Sequence, residues 1–326
     1  MKSITKILIG LIIISLIATP TSLQFVQAEN EKIMVTVKEG TITITTDYIT
    51  MKLVDGKPQF IWWNGNHSTA DEMYNVQYTT LQEYFGDDSI LDSKNELNGL
   101  NYNLITSDWV YDIIEGDDEA TITMTLDDLA NGAELQFIVH IYNDDQLISG
   151  TEEVVNGLEA VKFDIIVKNW QFTEGAQGIG LKAQILESQK RHRVTVRNST
   201  IAESDNHTRK MQFVSQEHGN EIVAYYGWTD FADIYNDSVK ISTIDVGTAY
   251  FDESDQGQGS GVDDPGMIHQ WLTYPNYNDS LTMVHDPFTG INPDAFTAAI
   301  PLYILPIIGG LISTTVIIGI SAKKRK

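Results

Sequence analysis

The stretch Thr121-Ile122-Thr123-Met124-Thr125-Leu126 alternates strictly between polar and apolar side chains, and this pattern decides the fold class. Successive side chains of a β-strand point to opposite faces of a sheet, so the alternation predicts a strand with one buried face. The same period recurs in the segments 41–45, 135–141, 161–167 and 179–185. β-branched residues dominate these segments, as suits a pleated and half-buried surface.

Turn-forming residues separate the alternating segments, as at Glu115–Asp118, Asn131-Gly132 and Asn156-Gly157. Short turns without intervening amphipathic helices favour antiparallel sheets over a doubly wound parallel sheet. We therefore predict an all-β, antiparallel β-sandwich of about fifteen strands, built as one large sandwich or as two stacked ones. Only Ala70–Tyr74 and Thr229–Tyr235 have a sequence that suits one or two helical turns.

The N-terminus has the parts of a secretory signal peptide. The basic segment Lys2–Lys6 precedes an apolar run, Ile7–Ala18, and small residues stand at Val26 and Ala28. We expect cleavage after Ala28. The alternative is an uncleaved anchor, but the apolar run is shorter than the roughly 20 residues that a membrane-spanning helix needs.

The C-terminus is typical of a membrane anchor. Residues 295–322 carry no charge, and the basic cluster Lys323–Lys326 closes the chain. This length is enough to cross a hydrocarbon core of about 30 Å, and the positive-inside rule places the cluster in the cytoplasm. A lipid-anchor signal normally lacks such a cluster, and no sorting motif precedes the apolar stretch. The predicted organisation is a signal peptide (1–28), a β-sandwich ectodomain (29–285), a stalk (286–297), a transmembrane helix (298–321) and a cytoplasmic tail (322–326).

The charge of the chain is divided between its middle and its ends. The chain has 21 Lys and Arg against 45 Asp and Glu, a net charge of −24. Six basic residues and no acids lie in 1–28 and 295–326, so the middle holds 15 basic and 45 acidic residues, a net of −30. This balance excludes nucleic acid as a partner, because phosphate binding needs a basic surface. Without cysteine, disulfides, thiolate zinc sites and cysteine nucleophiles are excluded as well.

One acidic, glycine-rich segment, Asp252–Asp264, is a candidate calcium site. Calcium takes six to eight oxygen ligands, and glycines let several carboxylates converge. The alternative is a solvated loop, since the spacing matches neither an EF-hand nor a nonapeptide repeat. No other cofactor is implied. The candidate ligands are Asp252, Asp255, Asp263 and Asp264.

A local reversal of charge marks the segment 190–210, which holds six of the basic residues of the middle. Arg193 and Arg197 flank the short strand-like run Val194–Val196 and share a face because their spacing is even. They are candidate contacts for an anionic glycan, lipid headgroups or an acidic partner. The alternative is that the basic side chains pair with acids of the same domain.

The adjacent residues Trp62 and Trp63 are candidate sugar contacts. On a strand, one of two adjacent side chains faces outward, and an exposed indole stacks on sugar rings. The alternative is that each tryptophan closes the core. Five Asn-x-Ser/Thr sequons add candidate glycosylation sites. They are Asn66, Asn198, Asn206, Asn236 and Asn278.

Catalytic motifs for zinc, serine or phosphate chemistry are missing from the sequence. The layout of signal Lys2–Ala28, acidic cysteine-free β-rich body, sequons and closing Lys323–Lys326 resembles membrane-anchored surface proteins of archaea. Within it, Val161–Trp170 resembles a recurring element of uncharacterised archaeal ectodomains. The resemblance implies no particular activity and assigns no catalytic residue. A Gram-positive surface protein has a similar layout.

The sequence therefore favours a non-catalytic protein of the cell membrane, with its body outside and its C-terminus in the cytoplasm. Its expected roles are adhesion, contact with a glycan or a surface protein, or envelope structure. The alternative is a membrane-anchored carbohydrate-active enzyme, because many of the 45 carboxylates are available to form a catalytic pair. An enzyme is expected to show two such carboxylates in a cleft.

Overall fold

The computed structural model describes residues 33–54, 57–65, 73–86, 88–127, 129–187, 193–195, 207–215, 218–219, 221–251 and 267–297. The regular structure of these residues is antiparallel β-sheet with almost no helix, which confirms the all-β prediction. Their helices are a 3₁₀ turn, Lys94–Glu96, and a short α-helix, Pro293–Thr297 (α1). The strands are Met34–Lys38 (β1), Thr41–Thr45 (β2), Ile49–Leu53 (β3), Gln59–Asn64 (β4), Tyr74–Tyr84 (β5), Leu97–Asn103 (β6), Val110–Glu115 (β7), Glu119–Leu126 (β8), Glu134–Tyr142 (β9), Gln146–Leu147 (β10), Val154–Val155 (β11), Ala160–Lys168 (β12), Gly178–Glu187 (β13), Arg193–Thr195 (β14), Thr208–Ser215 (β15), Glu221–Thr229 (β16), Phe231–Asn236 (β17), Val239–Asp245 (β18), Gly247–Ala249 (β19), Met267–Pro275 (β20), Thr282–His285 (β21) and Phe288–Ile291 (β22).

All five alternating segments lie in strands, namely β2, β8, β9, β12 and β13. The helical turns suggested for 229–235 are wrong. Thr229 ends β16 and Phe231 begins β17, which pairs with both β18 and β21. Tyr74, at the end of the other suggested helical segment, begins β5. Ladder hydrogen bonds to partner strands override the weak local preference for a turn of helix.

The first sheet has nine strands, of which eight follow the order β1-β2-β3-β4-β5-β13-β20-β19 and the ninth, β6, pairs with β5. Strands β4 and β6 both pair with the long strand β5, on the side away from β13. Neighbouring described strands in this sheet are antiparallel, as the short turns predict.

The second sheet has eleven strands and is organised around β12. On one side β12 pairs with β9, which leads through β8 to the edge strand β7. On the other side it pairs with β22 near its start and with β21 near its end. Asp286 and Pro287 separate β21 from β22, and a proline suits this break because it has no N–H for the ladder.

Both large sheets contribute their inward side chains to one hydrophobic cluster. Phe60 of the first sheet and Phe163 of the second have ring centroids 4.7 Å apart. Phe137 of the second sheet stacks on Tyr78 of the first, with centroids 4.8 Å apart. This arrangement fits a β-sandwich, in which alternate side chains of two sheets interdigitate.

The segment 286–297 differs from the predicted stalk. Its proline and asparagine residues suggested a linker, but β22 within it pairs with β12 and β16, and Phe288 and Ile291 are buried. Apolar side chains at these positions gain more from burial than from exposure, so the segment joins the sheet. The predicted signal peptide (1–28), transmembrane helix (298–321) and tail (322–326) lie outside the described residues. Among the residues described, no helix has the length and apolar character to cross a bilayer.

Candidate functional site

A cavity of about 950 Å³ lies where β18 of the second sheet meets β19 and β20 of the first. Ile90 lines it and is 62% exposed, so the cavity opens to solvent. Phe231 and Val246 contribute further apolar surface. The polar and charged residues of its wall are Ser89, His207, Arg209, Asp230, Lys240, Thr243, Asp245, Thr248 and Thr273.

Arg209 reaches the cavity because of its place on β15. Met211 and Phe213 of this strand lie in the core, and Arg209 shares their face at the end of the strand. Its Nη1 donates a hydrogen bond to Thr248 Oγ1 at 3.2 Å. Its Nε is buried without an acceptor, as is Nε1 of Trp228, the residue directly opposite on β16. Arg209 forms no ion pair with the described residues.

The other charged residues of the cavity wall have partners or reach water. His207 Nδ1 lies 3.2 Å from Asp230 Oδ1, and the His207 ring meets the Phe231 ring edge-on at 5.8 Å. Lys240 Nζ lies 2.7 Å from Asp233 Oδ1. Asp245 is exposed to solvent. Arg209 is therefore the cation of this wall whose charge has the least compensation from the described protein.

A second group of charged residues lies on the outer face of the second sheet, and we call it the outer-face cluster. Its members are Glu119 on β8, His140 on β9, Lys162 and Asp164 on β12, and Asp286 at the break between β21 and β22. His140 Nδ1 lies 2.6 Å from Glu119, and its Nε2 lies 3.1 Å from Asp164. Lys162 Nζ bonds to Asp164 and lies 2.9 Å from Asp286. This cluster is a set of mutually paired charges outside the cavity wall.

The two aspartates of the outer-face cluster titrate differently although they share Lys162. Burial raises the pKa of Asp286 to about 6, and the charge of Asp164 adds to this effect against the pull of Lys162. Burial acts in the same direction on Asp164, but the hydrogen bond from His140 and the charge of Lys162 hold its pKa well below the usual range. Burial also opposes protonation of His140, yet its bonds to Asp164 and Glu119 raise its pKa.

His285 lies on the opposite, core-facing side of the same sheet. Its Nε2 donates to Thr229 O at 2.9 Å, so Nδ1 is the acceptor for the Tyr274 hydroxyl, also at 2.9 Å. Burial lowers the pKa of His285 to about 4. It is therefore neutral near pH 7 and holds two core groups together by hydrogen bonds alone.

The structure separates the two candidate sugar-binding tryptophans. Trp62 is fully buried, with Nε1 donating to Gly290 O at 3.2 Å. Trp63 is half-buried on the other face of β4, where Lys52 Nζ lies 5.3 Å from its ring centroid. Only Trp63 of the pair is therefore placed to meet a ligand, and its role in ligand binding stays a prediction.

The basic segment is only partly within the described residues. Arg193 lies in β14, and Arg197 lies outside the described residues. Lys210 is on the outer face of β15, where Nζ lies 2.6 Å from Glu153 Oε1, so this residue follows the internal-pairing alternative. Its neighbour Arg209 faces the cavity instead. Sequence alternation places these two on opposite faces but does not reveal the cavity.

The candidate calcium ligands Asp252, Asp255, Asp263 and Asp264 lie outside the described residues. In the part of the chain that the structure describes, no group of three or more acidic or histidine side chains is arranged to hold a metal ion. Among the sequons, Asn66, Asn198 and Asn206 also lie outside the described residues. Asn236 is exposed at the end of β17, and Asn278 is exposed in the loop after β20.

Comparison with known proteins gives no assignment. No protein-family model matches the chain, and no curated protein matches it either.

Proposed function

We propose that this protein is a non-catalytic cell-surface protein. Its β-sandwich body lies outside the cell, its helix 298–321 spans the membrane and its tail 322–326 lies in the cytoplasm. The division of charge supports this orientation, because the ends are basic while the middle carries a net charge of −30. The body serves adhesion, contact with a glycan or surface protein, or envelope structure.

The placement of the aromatic side chains carries the non-catalytic part of the proposal. Of the six tryptophans, Trp62, Trp109, Trp170, Trp228 and Trp271 are each at most 7% exposed. They build the sandwich rather than a substrate cleft. The perturbed carboxylates Asp164 and Asp286 are bound to Lys162 on the outer sheet face, whereas a glycosidase pair flanks a substrate in a cleft.

Expression of the full chain with an internal epitope tests the proposed topology. We expect it in the membrane fraction, with an N-terminus at Glu29 and with its body removed by protease added to intact cells. Truncation before residue 298 is expected to release the body to the medium. A cytosolic protein that retains residues 1–28 contradicts the proposal.

Calcium binding by 252–264 and glycosylation at the five sequons belong to the same proposal, since both suit an exported body. Chelation is expected to lower the melting temperature of the purified chain, and calcium to restore it. An unchanged melting temperature excludes the calcium site. Intact-mass measurement of the secreted protein tests the sequons.

A membrane-anchored carbohydrate-active enzyme is the second candidate. The observation in its favour is that Asp230 and Asp245 line the same cavity. Release of reducing sugar from a polysaccharide panel tests it, with Asp230→Asn and Asp245→Asn as the informative variants. Turnover abolished by either variant supports the enzyme; no turnover on any member supports the non-catalytic proposal.

A further inference from the structure

We propose that the cavity between β15, β18 and β19 binds an acidic saccharide, with Arg209 holding the sugar carboxylate. The inference rests on the proposed function, because it supplies the surface protein with a ligand class. No sequence motif predicts a binding site at this cavity.

The guanidinium of Arg209 carries the first step. It is a permanent charge, and in the described structure its bonds reach one neutral partner, Thr248 Oγ1. Its Nε is buried and has no acceptor. Arg209 lines the cavity, so a carboxylate bound there would accept charge-assisted hydrogen bonds from the guanidinium and balance its charge.

The remaining wall suits a sugar ring. Phe231 and Ile90 offer apolar surface for the C–H face of a ring, while Asp230 and Thr273 offer acceptors for hydroxyl groups. The volume of about 950 Å³ lies within the range of roughly 300–1,000 Å³ that small-molecule sites occupy. The cavity therefore combines stacking surface, hydroxyl acceptors and one uncompensated cation.

The charges of the wall favour a monoanion over a more highly charged group. Asp230 and Asp245 also line the cavity and would repel a phosphate dianion. Lys240 is already 2.7 Å from Asp233. A single carboxylate on an otherwise neutral sugar matches the Arg209 guanidinium, which has no anionic partner among the described residues.

Calorimetric titration of the full-length chain in detergent tests the inference. The probes are galacturonic acid, which carries a single carboxylate, and its uncharged methyl ester. We expect the acid to bind at least about tenfold more tightly than the ester, as one charge-assisted hydrogen bond allows. Equal affinity for both probes, or no binding of either, overturns the inference.

Two variants locate the interaction. Arg209→Gln is expected to remove the preference for the acid, and Arg209→Lys to retain part of it. Lys38→Gln is the control, since it removes one cation from an exposed position on β1, at the opposite edge of the first sheet from β19. It is expected to bind like the wild type. Unchanged discrimination in a folded Arg209→Gln protein overturns the inference.

Hydrogen exchange of the wild-type chain keeps the test independent of variant folding. The acid probe is expected to slow exchange in 208–211 and 240–248, and protection confined to the strand of Trp63 contradicts the proposed site.

A protein that is correctly anchored but binds no acidic sugar overturns this inference alone. A cytosolic protein that binds the probe overturns the proposed function alone.

Discussion

His285 and His140 lie on opposite faces of the second sheet, and their surroundings move their pKa values in opposite directions. His285 is enclosed in the core, where burial lowers its pKa to about 4 and both of its hydrogen-bond partners are neutral. His140 on the outer face has two carboxylates as partners, which raise its pKa against the effect of burial. The same sheet therefore stabilises the neutral imidazole on one side and the charged one on the other.

Two consecutive residues lie on these opposite sides of the sheet, since His285 faces the core and Asp286 belongs to the outer-face cluster. Core polar groups of the described sandwich include neutral pairs, such as the Tyr78 and Tyr226 hydroxyls 3.0 Å apart. The charged members of the outer-face cluster lie on the outer face of the second sheet, where Lys162 bonds to two aspartates. Burial of a charge costs more than burial of a hydrogen-bonded neutral group, so this division is the less costly one.

Acid destabilisation through His285 is expected to be the largest of these effects. The folded-state pKa is about 4, below the unfolded value near 6.5, so stability from the neutral ring is present above pH 6.5 and lost as pH falls towards 4. We expect a loss of about 3 kcal/mol over this window. Urea denaturation at each pH measures it. His285→Gln retains a donor and an acceptor but does not titrate. Between pH 6.5 and 4 its free energy of unfolding should therefore fall by about 3 kcal/mol less than that of the wild type. Parallel pH profiles of the two proteins contradict the neutral state assigned to His285.

Loss of the shared cation is expected to have the next largest effect. Lys162→Gln leaves Asp164 and Asp286 facing each other, but both keep some solvent contact and Asp286 readily takes up a proton. We therefore expect a loss of about 2 kcal/mol in the free energy of unfolding at pH 7, below the ~3–5 kcal/mol for a fully buried pair. Lys168→Gln is the control, because Lys168 pairs with Glu134 at a more exposed site on the same face of β12. Equal losses in both variants contradict the special role of Lys162.

A smaller effect is expected for the neutral pair in the core. Tyr78→Phe removes one hydroxyl and leaves that of Tyr226 buried, at a cost of about 1 kcal/mol. Tyr111→Phe serves as the control, since Tyr111 is only partly buried. Tryptophan fluorescence during urea denaturation measures both. A Tyr78→Phe protein as stable as the wild type would show that the hydrogen bond contributes nothing net.

The smallest effect is expected for His140, and its sign is opposite to that of His285. Its folded-state pKa is raised, so its contribution is fully present below the unfolded value near 6.5 and is lost as pH rises through the folded-state pKa. His140→Gln should therefore cost more stability at pH 5.5 than at pH 9, by about 1 kcal/mol or less because Glu119 is partly exposed. A larger cost at pH 9 contradicts the charged state assigned to His140.

Much of the fold was predictable because strand alternation is a local signal. Thr121–Leu126 and Val161–Val167 predicted both the strands and the side of each that is buried. Partner strands were not predictable, since β12 pairs with β21 and β22 more than a hundred residues later. The helical turns predicted for 229–235 were wrong for the same reason, because pairing of β17 with β18 and β21 decides the conformation of this segment.

The cavity was beyond sequence prediction for a related reason. Arg209 lies in the basic segment 190–210, but Ile90, Lys240 and Thr273, which line the same cavity, come from distant parts of the chain. Only the packing of β18 against β20 brings them together. For Trp62 and Trp63, alternation predicted that one of the two side chains faces outward but not which one. The structure identifies it as Trp63.

The break at Asp286 and Pro287 places the last strand, β22, inside the second sheet between β12 and β16. A pull on the C-terminal end of the body is therefore first met by a strand held along both of its edges. Extraction of an interior strand ruptures two ladders at once, whereas an edge strand such as β7 separates from a single neighbour. For a body tethered at this end, the attachment point is mechanically reinforced by the topology of the sheet itself.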